Sequence, residues 1–318
     1  MYRFGYSLAL AGVLLGGCRS PVRRAADILT YEEYANLSCS APYVLELDDS
    51  TGALLYYGAD HVFDPEHPQN ASIQKLWERF RPTRAFNEGG DPPVAESVDE
   101  AVARYGEPGL VRYLAARDGV PVQSLEPAPA AEAAAVLSAG IPPDRLKLYF
   151  VLRAYKTFRQ AKHEESPEEF VDRGVTWTSR VQGLEGPPYS GAELGALYAQ
   201  LFPNDPDWRV VPGGYFDPTR SDTWLNEIAR LTSRARDCHM VDLVAGAAQH
   251  GERVFAVVGF SHVVMQEPAL KARFTGLRHL PAGGSRAPLK GRGDVPRVQP
   301  GCWSVTPAYT MTSSARGT

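Results

Sequence analysis

Two short stretches put a histidine just past an apolar run and a glycine. Ala53–His61 reads Ala-Leu-Leu-Tyr-Tyr-Gly-Ala-Asp-His, and Arg253–His262 reads Arg-Val-Phe-Ala-Val-Val-Gly-Phe-Ser-His. Both end in Gly-x-x-His. A glycine there lets the backbone turn sharply as it leaves a strand. Between them, Glu88 and Glu126 each follow a short β-rich run. Arg236 is the only charge on an otherwise apolar helical stripe, Leu225, Ala229, Thr232, Arg236, Met240, Leu243 and Ala247. A guanidinium in that place either snorkels at the stripe's edge or meets an acidic partner, because an unpaired buried charge is costly. His61, Glu88, Glu126, Arg236 and His262 support two kinds of chemistry. In one, His61, Glu88 and His262 hold a divalent metal (Mn, Co or Zn) that activates water. In the other, a metal-free His61 is the general base, a carboxylate orients it, and Arg236 stabilises a developing oxyanion.

Such residues need a scaffold that gathers strand ends. Tyr43–Leu47, an Asp/Ser/Thr/Gly turn and Ala53–Tyr57 read as a hairpin. Ile73, Leu76, Trp77 and Phe80 make one apolar helical face, and Arg84–Glu88 is a short strand ending at Gly89-Gly90. Val94 to Tyr105 is a helix that Gly106 and Pro108 break; Leu110–Arg117 is another, stopped by Gly119. Val120–Leu125 is a strand ending at Glu126-Pro127. The alternation predicts an α/β fold with a central mixed sheet flanked by helices, its ligands at the strands' carboxyl ends. Residues from about 128 to 207 read as a helical insert. Ser221 can cap a long helix running to Gln249. Arg253–Val258 shows no alternation, as in a strand buried on both faces, and Pro268–Phe274 closes the fold with a helix.

The ends read differently. Residues 1–18 form a signal peptide: an apolar run too short to span a bilayer ends in Leu15-Gly16-Gly17-Cys18. Residues 19–40 read as a tether, 41–280 as the α/β domain, and 281–318 as a low-complexity tail. Cys39 and Cys302 flank the domain and could tie its ends, while Cys238 reads as a small core residue. A net charge of −4, with no basic block, argues against a nucleic-acid partner. No P-loop and no Gly-x-Gly-x-x-Gly occurs, and Gly259-Phe-Ser261-His-Val263 is not a nucleophile elbow, because position 263 is valine.

Leu-x-Gly-Cys resembles a bacterial lipobox, which implies cleavage before Cys18, a lipid on its thiol and a membrane surface as partner. Without an aspartate after Cys18, the implied address is the outer membrane, facing the periplasm. Gly58-Ala-Asp-His61, Asn87-Glu88, Leu125-Glu126, Arg236-Asp237-x-x-Met240 and Gly259-Phe-Ser-His262 together resemble the TraB/GumN/Tiki superfamily, with erythromycin esterases and ChaN-type haem-binding lipoproteins as distant relatives. That resemblance implies a sheet in two related halves with a site between them. It implies metal-dependent peptide hydrolysis in the Tiki branch and a metal-free histidine base in the esterase branch. Asp237 stands where the TraB branch carries Asn, and Asp60 where it carries an uncharged residue. The expectation is a lipid-anchored hydrolase of a peptide or small-molecule ester. The alternative is a haem- or metal-binding envelope lipoprotein without turnover.

Overall fold

The computed structural model describes residues 28–159 and 165–274, so Cys18, Cys302 and the tail from 275 lie outside the described residues. The fold is α/β. Five strands, β1 (Tyr43–Asp48), β2 (Ala53–Ala59), β3 (Arg84–Asn87), β4 (Val122–Ser124) and β5 (Arg253–Gly259), form one mixed sheet in the order β1-β2-β5-β3-β4. Only β1 runs antiparallel, as the hairpin partner of β2. The other four are parallel, so their carboxyl ends share one edge. The last strand in sequence fills the centre. It pairs with β2 so that Ala59 sits beside Gly259, and with β3 so that Asn87 sits beside Val257. The two Gly-x-x-His segments are therefore neighbours.

Successive residues of a strand point to opposite faces of a sheet. Val254, Ala256 and Val258 enter one core, with Leu54 and Tyr56 of β2. Phe255 and Val257 enter the other, with Leu55 and Tyr57. Both faces are covered by helices, which is why β5 carries an unbroken apolar run. On one side lie α2 (Pro68–Phe80) and α3 (Val98–Asp118). On the other lie the second half of α8 (Trp224–Gln249) and α9 (Phe260–Arg273).

The helical insert comprises α4 (Pro129–Ser138), α5 (Pro143–Phe158), α6 (Pro167–Gly174) and α7 (Gly191–Leu201), with short 3-10 turns. It has its own core, built on Leu148, Tyr149, Leu152, Tyr198 and Trp208, which Leu225, Ile228 and Ala229 of α8 complete. The 26 residues of α8 extend about 39 Å. Its first half serves the insert, its second half the sheet, and Arg236 lies between.

Several boundaries differ from the sequence expectations for identifiable reasons. Helix α3 starts at Val98 behind the cap Ser97, leaving Val94 exposed. The break expected at Gly106 is present, with a left-handed φ of 62° that parts α3 into two helical stretches, and Gly119 ends the second as expected. Thr223, not Ser221, is the N-cap of α8; its N–H donates to Asn226 Oδ1 at 3.0 Å. Helix α9 begins directly at Phe260 rather than at Pro268. The supposed tether is in part docked. Residues Tyr31–Ala35 form a short helix, α1, behind a Thr30/Glu33 capping box. Ile28 and Tyr31 are buried, and the Leu29 N–H donates to the Met265 carbonyl. Arg234, on the far side of α8 from Arg236, donates to the Ile28 and Leu29 carbonyls. Among the described residues, Cys39 and Cys238 form no disulfide.

Candidate functional site

The strand edge forms the floor of a cleft of about 550 Å³, and its walls come from α1, α5 and α9. His61 leaves β2 two residues past its end. A carbonyl and an amide of Asp60 are clamped by Gln69, whose Nε2 donates to the Asp60 carbonyl at 2.7 Å and whose Oε1 accepts from its N–H. The His61 side chain is 20% exposed, and its Nδ1 is bonded to buried Glu107. Glu107 reaches it because the Gly106 kink turns the chain toward the loop; a Cβ on Gly106 would stand 3.3 Å from the Val62 carbonyl.

His262 sits in the first turn of α9, with its Nδ1 2.6 Å from Asp237 Oδ1. Gln266, one turn on, donates to the same oxygen at 2.7 Å and accepts from Tyr56 O–H at 2.9 Å. Each imidazole is thus held by a carboxylate at one nitrogen, which fixes its orientation and favours its protonated form.

Glu88 lies between the outer nitrogens. His61 Nε2 is 3.9 Å from its Oε2, and His262 Nε2 is 3.5 Å from its Oε1. Glu88 itself accepts the Gly259 N–H at 2.7 Å and Arg236 Nη2 at 2.8 Å. Arg236 also grips Glu126 through Nε and Nη2, at 2.8 and 2.7 Å. The two-atom grip fits the planar guanidinium fork. Of the two options for Arg236, the structure shows the acid-partnered one; it is 2% exposed.

All five residues singled out in the sequence therefore converge: His61, Glu88, Arg236 and His262 line the cleft, and Glu126 holds Arg236. The role of the glycines is different from the one expected. Neither Gly58 nor Gly259 has a positive φ. They permit close approach instead: a Cβ on Gly58 would stand 2.7 Å from Phe260 Cα, and one on Gly259 2.9 Å from His61 Nε2. Asp64, Glu66 and His67 stay out of the site. Asp64 accepts the Glu66 N–H, and His67 caps α2.

Glu107 and Asp237 are the site residues that spacing did not single out for chemistry. The signal for Glu107 was an acid between a helix-breaking glycine and a proline. For Asp237 it was an acid next to Arg236 on the inner turn of a long helix.

Charge explains the protonation of the cluster. Glu88, Glu107, Glu126 and Asp237 are four carboxylates facing one guanidinium, so two imidazolium charges bring the cluster close to neutrality. Burial works to lower the pKa of His61, but the hydrogen bond and charge of Glu107, then Glu88, raise it to about 9. For His262 burial again opposes, and Asp237 and Glu88 outweigh it, raising the pKa to about 10. Burial would raise the Glu88 carboxyl, yet His262, Arg236 and His61 hold it well below the usual range. Glu126 is lowered against burial by Arg236.

Replacing Glu107 by Gln keeps the shape and removes the charge. The expected result is a His61 pKa shifted downward from about 9, toward 6.5, with His262 changed less. A histidine-resolved NMR titration checks it. An unmoved His61 titration would show that Glu107 does not set its protonation.

Comparison of the chain with protein-family models, curated proteins and solved structures finds no match.

His61, Glu88 and His262, also read as a metal set, are each already held by a protein partner in this arrangement. Glu88 is committed to Arg236 and Gly259, so a divalent cation beside it would face a guanidinium. Both imidazoles are poised to hold a proton, which opposes ligation. Among the described residues, no group of three His, Cys, Asp or Glu is arranged as a metal cage.

Proposed function

We propose that the protein is a hydrolase of ester or peptide bonds with a metal-free histidine mechanism, akin to the esterase branch of the TraB/GumN/Tiki superfamily that its motifs resemble. One observation carries this reading: two histidine–carboxylate dyads, His61–Glu107 and His262–Asp237, meet across Glu88 on the floor of a cleft large enough for a small substrate.

His61 is the more exposed of the two and takes the proton of the attacking water at Nε2. Glu107 at Nδ1 stabilises the imidazolium that results, as a carboxylate does in a catalytic triad. Protonated His262, and the Arg236 Nη1 that is not spent on Glu88 or Glu126, face the carbonyl oxygen as it gains charge. His61 then returns its proton to the leaving alcohol or amine. Glu88 acts as the fixed anion that keeps both imidazoles and Arg236 aimed; its low pKa and burial make it a poor base.

This assignment has a specific pH signature. His61 must be neutral to act as base, and its pKa is about 9; His262 must be charged, and its pKa is about 10. The expected kcat/KM therefore rises with pH up to about 9 and falls above about 10, with the two limbs belonging to the coupled pair.

The test uses a fluorogenic ester and peptide panel with the domain lacking residues 1–18, with and without chelator. Turnover is expected in chelator, and His61→Ala is expected to lower it about 10²- to 10⁴-fold. Wild-type turnover by His61→Ala would remove the assignment. Turnover only with Mn, Co or Zn would restore the metal reading. A haem absorbance band lost with one side chain, and no turnover, would favour the binding lipoprotein.

We further propose, from Leu15-Gly16-Gly17-Cys18 alone, that a lipid on Cys18 holds the protein on the outer membrane facing the periplasm. No helix among the described residues is long and apolar enough to cross a membrane. A Cys18→Ser chain that still fractionates with membranes at high salt would contradict the lipid anchor.

A further inference from the structure

Strand β2 puts a further polar group into the core behind the His262–Asp237 dyad. Leu54 and Tyr56 point into the core that α8 and α9 cover, and Tyr56 is fully buried there. A buried phenol needs a hydrogen-bond partner. Its O–H donates to Gln266 Oε1 at 2.9 Å. Gln266 is fully buried as well, and its amide nitrogen is spent on two acceptors, Asp237 Oδ1 at 2.7 Å and the Met240 sulfur at 3.4 Å. An ionised carboxylate and a thioether have no hydrogen to give the Gln266 carbonyl. Among the described residues, Tyr56 is its one donor. Asp237 depends on that amide in turn. Its Oδ1 accepts from both Gln266 and His262, while its buried Oδ2 has no hydrogen-bond partner among the described residues. The carboxylate that orients His262 is held through one oxygen, by a single side-chain donor besides the imidazole itself.

We infer that Tyr56 is a positioning residue for His262: by giving the Gln266 carbonyl its donor, it keeps the Gln266 amide on Asp237 and Asp237 on Nδ1 of the imidazole. Its effect on turnover rests on the hydrolase reading; its hold on the dyad does not. Without the phenol O–H, the Gln266 carbonyl would stand unpaired in the core, which is costly. Gln266 then gains by turning that carbonyl toward another donor, and its nitrogen leaves Asp237. The carboxylate, with Oδ2 unpartnered, is free to rotate, and His262 loses its fixed aim toward Glu88 Oε1, 3.5 Å from Nε2. Burial holds the Tyr56 phenol well above its ordinary pKa, so the O–H remains a donor at neutral and mildly alkaline pH. Tyr56 lies outside the cleft lining, so it acts on a substrate only through these side chains.

Proton NMR of the chain lacking residues 1–18 reads this chain of hydrogen bonds directly, apart from any turnover. The His262 Nδ1 proton, assigned by its loss in His262→Gln, is expected far downfield, as in a short charge-assisted hydrogen bond. It should show a nuclear Overhauser contact to one Gln266 amide proton, because both point at Asp237 Oδ1. Tyr56→Phe should shift that resonance and weaken the contact. It should also lower kcat about three- to tenfold with KM unchanged. In a Gln266→Met background the same substitution should change neither, since the phenol acts through Gln266. A resonance that moves while turnover stays at the wild-type rate would support the positioning role and count against His262 in the hydrolase reading. Absence of the contact in wild type would overturn the inference even if Tyr56→Phe does not fold. So would a resonance unmoved by Tyr56→Phe, or one moved equally with and without Gln266.

Discussion

Arg236→Leu is expected to destabilise the fold by about 3–5 kcal/mol at neutral pH. Arg236 has two buried or half-buried carboxylates on three hydrogen bonds, and leucine supplies none of them. Removing it leaves Glu126 without its cation partner, and leaves Glu88, 3% exposed, facing Glu126 with only the two imidazoliums to balance it. The repulsion already works to raise the Glu126 pKa with Arg236 present. One carboxyl will therefore take up a proton in the variant, which limits the loss. That gives the prediction a sign. The variant's carboxyl pKa is raised by folding, so its deficit relative to wild type should shrink as pH falls toward 5. Denaturant midpoints at pH 5 and pH 7.5 check both statements. Arg236→Lys should fall between, since it keeps the charge and loses the fork. A deficit under about 1 kcal/mol at pH 7.5, independent of pH, would mean that Arg236 is not what balances the pair.

Much of this arrangement was legible because strands of a parallel sheet end on one edge. Once Tyr57, Asn87, Leu125 and Val258 are placed near strand ends, His61, Glu88, Glu126 and His262 must lie near one another whatever the strand order. The order itself, with β5 between β2 and β3, is not written locally. Periodicity also located Arg236 on the buried stripe of α8, although Leu243 and Ala247 drift to its half-buried edge while Val241, Val244 and Ala248 go inside. A straight helix slips against any repeat of four and three, so a stripe read over more than two turns loses its aim.

What stayed hidden depends on contacts distant in sequence. Asp237 is one residue from Arg236 and so points about 100° away. A one-face reading places it outside the site. It joins because α8 and α9 pack against each other on one face of the sheet, with His262 and Gln266 of α9 meeting Asp237. Glu107 is 46 positions from His61 and depends on the single left-handed glycine before it. The docking of residues 28–36 has only a short signature, Ile28, Tyr31 and Tyr34 at steps of three, too brief to tell a docked turn from a tether.

The two protonated histidines make a second large effect, on stability against pH. Their folded pKa values, about 9 for His61 and about 10 for His262, lie above the ordinary 6.5. Protonation is therefore tighter in the folded state. The stability this contributes is fully present below pH 6.5 and is lost as pH rises through 9 and 10. Each shift is worth on the order of a few kcal/mol, and the two are not additive because both imidazoles compete for Glu88. The expected result is a denaturation midpoint that falls steadily from pH 7 to pH 10. Asp/Glu titration cannot produce that fall, since those groups are ionised throughout. His262→Gln is less stable than wild type at pH 7 and should meet it near pH 10, where the wild-type histidine has also lost its charge. The same window is where neutral His61 becomes available as base, so activity should climb while stability declines. That opposition follows from one cause: the carboxylates that hold the histidines in place also hold their protons. A midpoint unchanged between pH 7 and pH 10 in wild type would mean that the histidines are neutral in the folded protein, and the activity maximum would then move to lower pH with them.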